Sequence, residues 1–190
     1  KNRNRINFTY ADIGGKLKLT TITEPAGMTI HLQYGPNNMV SRAIDPAGNE
    51  IQYFYDAGNH LIKAKDRMGF EENYSYEPTT HNLIEYRDKK NNAWTYAYTY
   101  NDRVSRQNDP LGNTMTFDYL WSTVHVINKR GEIYKYNYDA NGFLQSITDP
   151  FNILERTTND KDGNITNYYD KNGNQTYSTY DSNGNPTGIR

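Results

Sequence analysis

Cysteine is absent from this chain, which excludes disulfides and thiolate metal sites as braces for the fold. That absence does not fix the compartment, because a large secreted β-protein can do without disulfides. No apolar run approaches the length of a transmembrane helix, so membrane insertion by a helix is not expected, and no signal-peptide core is visible. An excess of either charge is also missing. Lys+Arg number 21 against 22 for Asp+Glu, a net charge of -1, which leaves no electrostatic footprint for nucleic acid or an anionic membrane. Hydrophobic residues make up only 35% of the chain, and the mean hydropathy is -0.99, so a deep aliphatic core is not expected. The sequence opens on Lys1 with no initiator Met and is expected to be an internal segment of a longer protein.

Tyrosine and turn residues are what the chain does have. The 18 Tyr are large apolar rings with one polar end, suited to a thin, half-wet layer. Turn strings recur along the chain, beginning at Glu24, Asp45, Asp66, Asp88, Asp109, Asn128, Asp149 and Asp170, a spacing of about twenty-one residues. In each, an acidic or amide side chain can accept local backbone hydrogen bonds at the first position. The fourth position is Gly27, Gly48, Gly69, Asn91, Gly112, Gly131, Asn152 or Gly173, the residue types that tolerate the left-handed conformation of a three-residue hairpin loop. A second, less regular turn sits half a period away, as at Asp56, Asp139, Asp160 and Asp181. Between turns lie five- to eight-residue segments with tyrosine at every second place: Tyr53/Tyr55, Tyr74/Tyr76, Tyr96/Tyr98 and Tyr134/Tyr136. That period puts each set on one sheet face, where the rings are expected to form a ladder from repeat to repeat.

The pairs Tyr55-Asp56, Tyr138-Asp139, Tyr169-Asp170 and Tyr180-Asp181, with Asp45 to Asn49 (DPAGN) and Asp109 to Asn113 (DPLGN), resemble the YD repeats of the RHS family, over roughly residues 8 to 185. That family includes bacterial RHS toxins, the shell components of insecticidal Tc toxins, wall-associated proteins and the teneurin receptors. The resemblance implies an all-β chain of tandem β-hairpins forming a continuous, curved antiparallel sheet, an open arc of an RHS-type spiral shell. It further implies a secreted or cell-surface setting and a parent chain with more YD repeats, with or without a C-terminal toxin domain. Geometry independently favours curling, since eight repeats of two strands would make a flat sheet on the order of 75 Å wide. One repeat array is expected over residues 1 to 190, least ordered from Thr157 onward, where Asn, Asp and Gly crowd the sequence.

No catalytic, cofactor or metal site is expected. Asp160-Lys161-Asp162-Gly163-Asn164 imitates the opening of a calcium loop, but Ile165 stands where that loop needs glycine and Lys171 where it needs glutamate, so it reads as a hairpin turn. His60 and His81 are the only histidines a repeat could bring together, and counting strand phase from Leu61 and Leu83 sends them to opposite faces. The region of RHS toxins that carries an autoproteolytic aspartate has no counterpart beyond the Asp-Pro-x-Gly core at Asp109, so no catalytic residue carries over.

The tyrosine rows have two readings. They serve either as packing that substitutes for an aliphatic core or as a face that stacks on glycan or a cell-surface partner. The expected function is structural scaffold, a segment of a hollow shell that encloses or presents another domain. The first strand, near Ile6 to Tyr10, alternates cleanly and lacks proline, with Lys1, Arg3 and Arg5 as charge protection just outside it; its edge is expected to self-associate.

Overall fold

The structure, a computed structural model, describes residues 5–190. Lys1 and Arg3 lie outside the described residues. The chain divides into two compact units, Lys1–Thr95 and Tyr96–Arg190, and the division falls inside one strand.

All regular structure among the described residues is strand. The first unit holds β1 (Asn7–Ile13), β2 (Lys16–Thr23), β3 (Thr29–Tyr34), β4 (Val40–Ile44), β5 (Glu50–Tyr55), β6 (Leu61–Lys65), β7 (Glu71–Tyr76), β8 (Leu83–Arg87) and the start of β9 (Ala93–Tyr98). The second holds the rest of β9 and then β10 (Val104–Asn108), β11 (Thr114–Leu120), β12 (Thr123–Ile127), β13 (Ile133–Tyr138), β14 (Leu144–Thr148), β15 (Leu154–Asn159), β16 (Ile165–Tyr169), β17 (Gln175–Tyr180) and β18 (Pro186–Ile189). Within each unit the strands pair antiparallel with their sequence neighbours, the simple up-and-down order that short turns enforce.

The turns explain the sequence period. In the Asp45 turn, the Asp45 amide donates to the Asn49 carbonyl (2.8 Å) and the Gly48 amide to the Asp45 carbonyl (3.0 Å). Oδ1 of Asp45 accepts from the Ala47 and Asn49 amides (2.9 and 2.8 Å), and Oδ2 accepts from Nδ2 of Asn49 (2.8 Å). The only amide this arrangement leaves unused is that of the second residue, which is why Pro46 fits there. Asp88/Asn92, Asp109/Asn113, Asp160/Asn164, Asp170/Asn174 and Asp181/Asn185 repeat the clamp. At Asn128 the polarity is reversed: its Nδ2 donates to Glu132 (2.7 Å). The fourth residues, Gly27, Gly48, Gly69, Asn91, Gly112, Gly131, Asn152 and Gly173, all stand at positive φ.

Pairing across the strands sorts the side chains into two unlike faces. In the first unit one face carries Leu32, Ala43 and Ile51, then Tyr53, Ala64 and Glu72, then Tyr74, Tyr86 and Trp94 as cross-strand partners. The other carries Gln33, Arg42, Gln52, Lys65 and Glu71, with ion pairs Arg42–Glu50 (3.2 Å) and Lys63–Glu71 (3.3 Å). No hydrophobic side chain is buried among the described residues; the sole buried residue is Asp149, at 7% exposure.

Gly112 tests the turn geometry without interference from packing, since a Cβ built there would touch nothing within 4 Å and its φ is 79°. Gly112→Val should destabilise the fold by about 1 kcal/mol or more in urea titrations, and Gly112→Asn only mildly. Equal losses would mean that backbone strain does not set the turn. A second expectation concerns pH. The clamp amides hold the carboxyls of Asp45, Asp88, Asp109, Asp160, Asp170 and Asp181 below the ordinary value of 3.8. Groups depressed in the folded state contribute stability above their unfolded value and lose it as pH falls through the folded one. On the alkaline side, burial and then the Glu72 hydrogen bond push Tyr74 up to about 12, and hydrogen bonds to Asp66 and Asp149 raise Lys89 and Lys171. Thermal melts should therefore show a plateau at neutral pH, with loss below about pH 4 and above about pH 10. A melting temperature constant down to pH 2 would contradict the clamp.

Candidate functional site

The tyrosine rows were the one feature with a functional reading in the sequence, and the structure accounts for them ring by ring. The last tyrosine of a strand turns its hydroxyl onto a carbonyl fifteen residues upstream: Tyr34 to Leu19 (2.8 Å), Tyr55 to Val40 (2.9 Å), Tyr76 to Leu61 (3.0 Å), Tyr119 to Val104 (2.9 Å) and Tyr180 to Ile165 (3.0 Å). Val40, Leu61, Val104 and Ile165 begin the preceding strand and Leu19 lies within β2; in every case the pairing toward the tyrosine's own strand stops two residues short of the acceptor. The hydroxyl thus closes the open end of the hairpin. Asn159 makes the same bond with its amide, to Leu144 (3.0 Å).

The rings do not form a tyrosine-on-tyrosine ladder along the repeats. A strand with small or aliphatic side chains intervenes: Tyr53 lies opposite Ala64, Tyr134 opposite Val126, and Tyr136 opposite Val124 and Ile147. Tyr96 and Tyr98 lie half-buried on β9. Continuous stacking occurs at Tyr74–Tyr86–Trp94, with centroids 5.4 and 5.5 Å apart and planes inclined by 28° and 27°. Tyr86 and Trp94 had no place in the expected ligand face, although their own alternation with Ile84 and Tyr96 carried the signal. Their stacked faces cover one another, and the Tyr74 hydroxyl donates to Glu72 (3.1 Å).

His60 and His81 stack at 4.7 Å and do not point apart. The strand-phase count fails because His81 is not in a strand: it ends a longer turn at φ 63°, one residue before Asn82, where alternation does not apply. His60 is held by Asp56, whose carboxylate meets its ring at 2.9 Å and its amide at 2.9 Å, and it also lies 5.1 Å from the Tyr76 ring. In the calcium-like string, Oδ1 of Asp160 accepts from the Asp162 and Asn164 amides and Oδ2 from the Asn164 side chain, so the carboxylate serves the turn.

Sequence reasoning missed a link between consecutive turns. In two turns whose fifth residue is not Asn, the second carboxylate oxygen is taken by a lysine from the next turn: Lys89 reaches Asp66 (2.8 Å), whose fifth residue is Phe70, and Lys171 reaches Asp149 (3.2 Å), whose fifth is Ile153. Lys171 also lies 3.7 Å from Glu155. Burial pushes the Asp149 carboxyl up, but the Ile153 amide, Lys171 and the Phe151 amide together hold it below the usual value. The second turn position that these lysines occupy is proline at Pro25, Pro46, Pro110 and Pro150, so the same place in the loop serves either to stiffen its own turn or to reach back to an earlier one.

No family model and no curated protein matches the chain. Solved structures do. A Photorhabdus luminescens Tc holotoxin pore with a mutated TccC3 component matches 94% of this chain with a TM-score of 0.62 at 15% identity. Structures of TcdB2-TccC3-Cdc42 and of TcdB2-TccC3 each match 88% of it at 14% identity, with TM-scores of 0.54 and 0.53. The chain spans 12% of the first of those chains and 13% of the other two. The chain therefore has the tandem β-hairpin fold of Tc toxin components, the RHS-type fold that its YD pairs and Asp turns resemble.

Proposed function

We propose that this chain is a non-catalytic scaffold segment of a longer, secreted RHS-type protein, part of the wall of a hollow β-shell that encloses or presents another domain. One observation carries this reading. Polar groups of the kinds that build sites are spent on the architecture: turn carboxylates on their own amides, and strand-end tyrosine hydroxyls on carbonyls of the neighbouring strand. A sheet with no buried hydrophobic side chain among its described residues is also half of a structure, in the sense that its apolar face still awaits cover. The rest of a much longer parent would supply that cover.

Electron microscopy of the chain extended by its native flanking sequence tests the reading: a hollow particle with internal density is the expected result, and a solid globule or an open ribbon would overturn it. Glycan arrays separate the scaffold from a ligand face at Tyr53, Tyr74, Tyr96 and Tyr134. No binding is expected. Millimolar or tighter binding to one glycan class, abolished by Tyr96→Ala, would transfer the function to the tyrosine row.

A further inference from the structure

The second unit breaks the repeat in one place. Between Asp109 and Asn128 the chain is two residues short of the usual period, and the hairpin β11–β12 shows the consequence. Leu120 pairs directly with Thr123, so the loop is only Trp121-Ser122, and the register runs without the bulge that interrupts β13–β14, β15–β16 and β17–β18 at the same end. Neither loop residue has positive φ, although two-residue hairpins favour it. The Trp121 side chain consequently stands fully in solvent, at 107% exposure, with Leu120 at 51%. Trp121 is the most exposed large apolar side chain among the described residues.

The surroundings are built and are not neutral in detail. Arg103 lies over the Tyr119 ring at 5.2 Å and forms no ion pair among the described residues. The Ser122 carbonyl is fixed by the Tyr138 amide (2.8 Å). Next to it, Asp139 caps its turn through Oδ1 alone, accepting from Asn141 and Phe143 (both 2.9 Å). Its fifth residue is Phe143, so there is no Asn clamp, and Lys161, in the place of the tethering lysine, bonds Asp162 instead (2.8 Å). Among the described turns that begin with Asp, Asp139 alone keeps its second oxygen uncommitted. Arg103, Tyr119, Trp121, Tyr138 and Asp139 line one groove of about 740 Å³.

We propose that this groove is a self-complementary interface whose occupant is a second copy of the chain. A two-fold axis brings the same patch of each copy together, so a patch that carries one unpaired cation, one uncommitted anion and one projecting indole beside a groove matches itself: Trp121 enters the partner's groove and Arg103 meets the partner's Asp139. The residue types are those that anchor interfaces. A net charge of -1 on each copy opposes the approach only weakly. Edge pairing through β1 is the competing mode of association and serves as the control.

Sedimentation velocity over a concentration series of the 190-residue chain tests the proposal, with Trp121→Ser, Arg103→Glu and Asp139→Asn as variants. Asp139→Asn keeps the turn cap and removes the charge, and thermal melts confirm that each variant folds. A dimer is expected whose Kd rises about tenfold or more in Trp121→Ser and Arg103→Glu, rises with salt, and is unchanged in Thr9→Pro. A monomer at every concentration overturns the proposal, as does a dimer that Trp121→Ser leaves within twofold of the original or that Thr9→Pro abolishes.

Discussion

The fold rests on a five-residue loop in which one carboxylate does the work of a core. Without a buried apolar side chain among the described residues, the hydrophobic term that dominates most domains is thin here, and specificity has to come from hydrogen bonds. An Asp at the head of the loop draws the amides of its second and fourth successors onto one oxygen and an Asn side chain onto the other, while the loop's own backbone bonds close around it. Each turn thereby fixes the register of the two strands it joins, and a misregistered strand would forfeit the clamp. Charge-assisted bonds to ionised Asp are also the stronger kind, which suits a protein that has few other sources of rigidity.

Such turns are local, so something must hold the open end of each hairpin and link its turn to the next. Two devices do it. The strand-end tyrosine spans to the preceding strand and satisfies a carbonyl that the ladder leaves open, as Tyr55 does at Val40. The lysine at the second turn position reaches back to the Asp of the previous turn, as Lys89 does at Asp66. Both act between neighbours only, which is the nearest-neighbour coupling of repeat proteins and permits an array of any length. Lysine and Asn are alternative partners for the same carboxylate oxygen. This exchange explains why turns whose fifth residue is Phe70 or Ile153 persist in an array otherwise rich in Asn.

The same accounting gives meaning to exceptions. When nearly every turn carboxylate has both oxygens engaged, Asp139 is conspicuous, and it lies beside the one hairpin that drops two residues and lifts Trp121 into solvent. Phe143, which stands in the place of the clamping Asn, is half-buried with its ring against Gly163. Asn at position 143 would have completed the clamp, and a five-residue loop would have replaced an exposed indole with a small polar tip.

Sequence alone determined the period, the strand content and the turn chemistry, because every group in those decisions lies within five residues of its partner. Asp45 to Asn49 can be read as a loop before any strand is placed. It also indicated the RHS-type fold, through YD pairs and turns in constant register. Only the tertiary structure decided what lies across the strands. The stacking of His60 on His81 turned on one extra loop residue that took His81 out of strand phase. The tyrosine rows proved to be separated by Ala64, Val124 and Val126, since a face shared along one strand says nothing of the strand between. The fifteen-residue reach of the tyrosine hydroxyls and the back-reaching lysines depends on the bulges and on where each ladder stops. Those are set by pairing between segments, and no pattern within one segment encodes them.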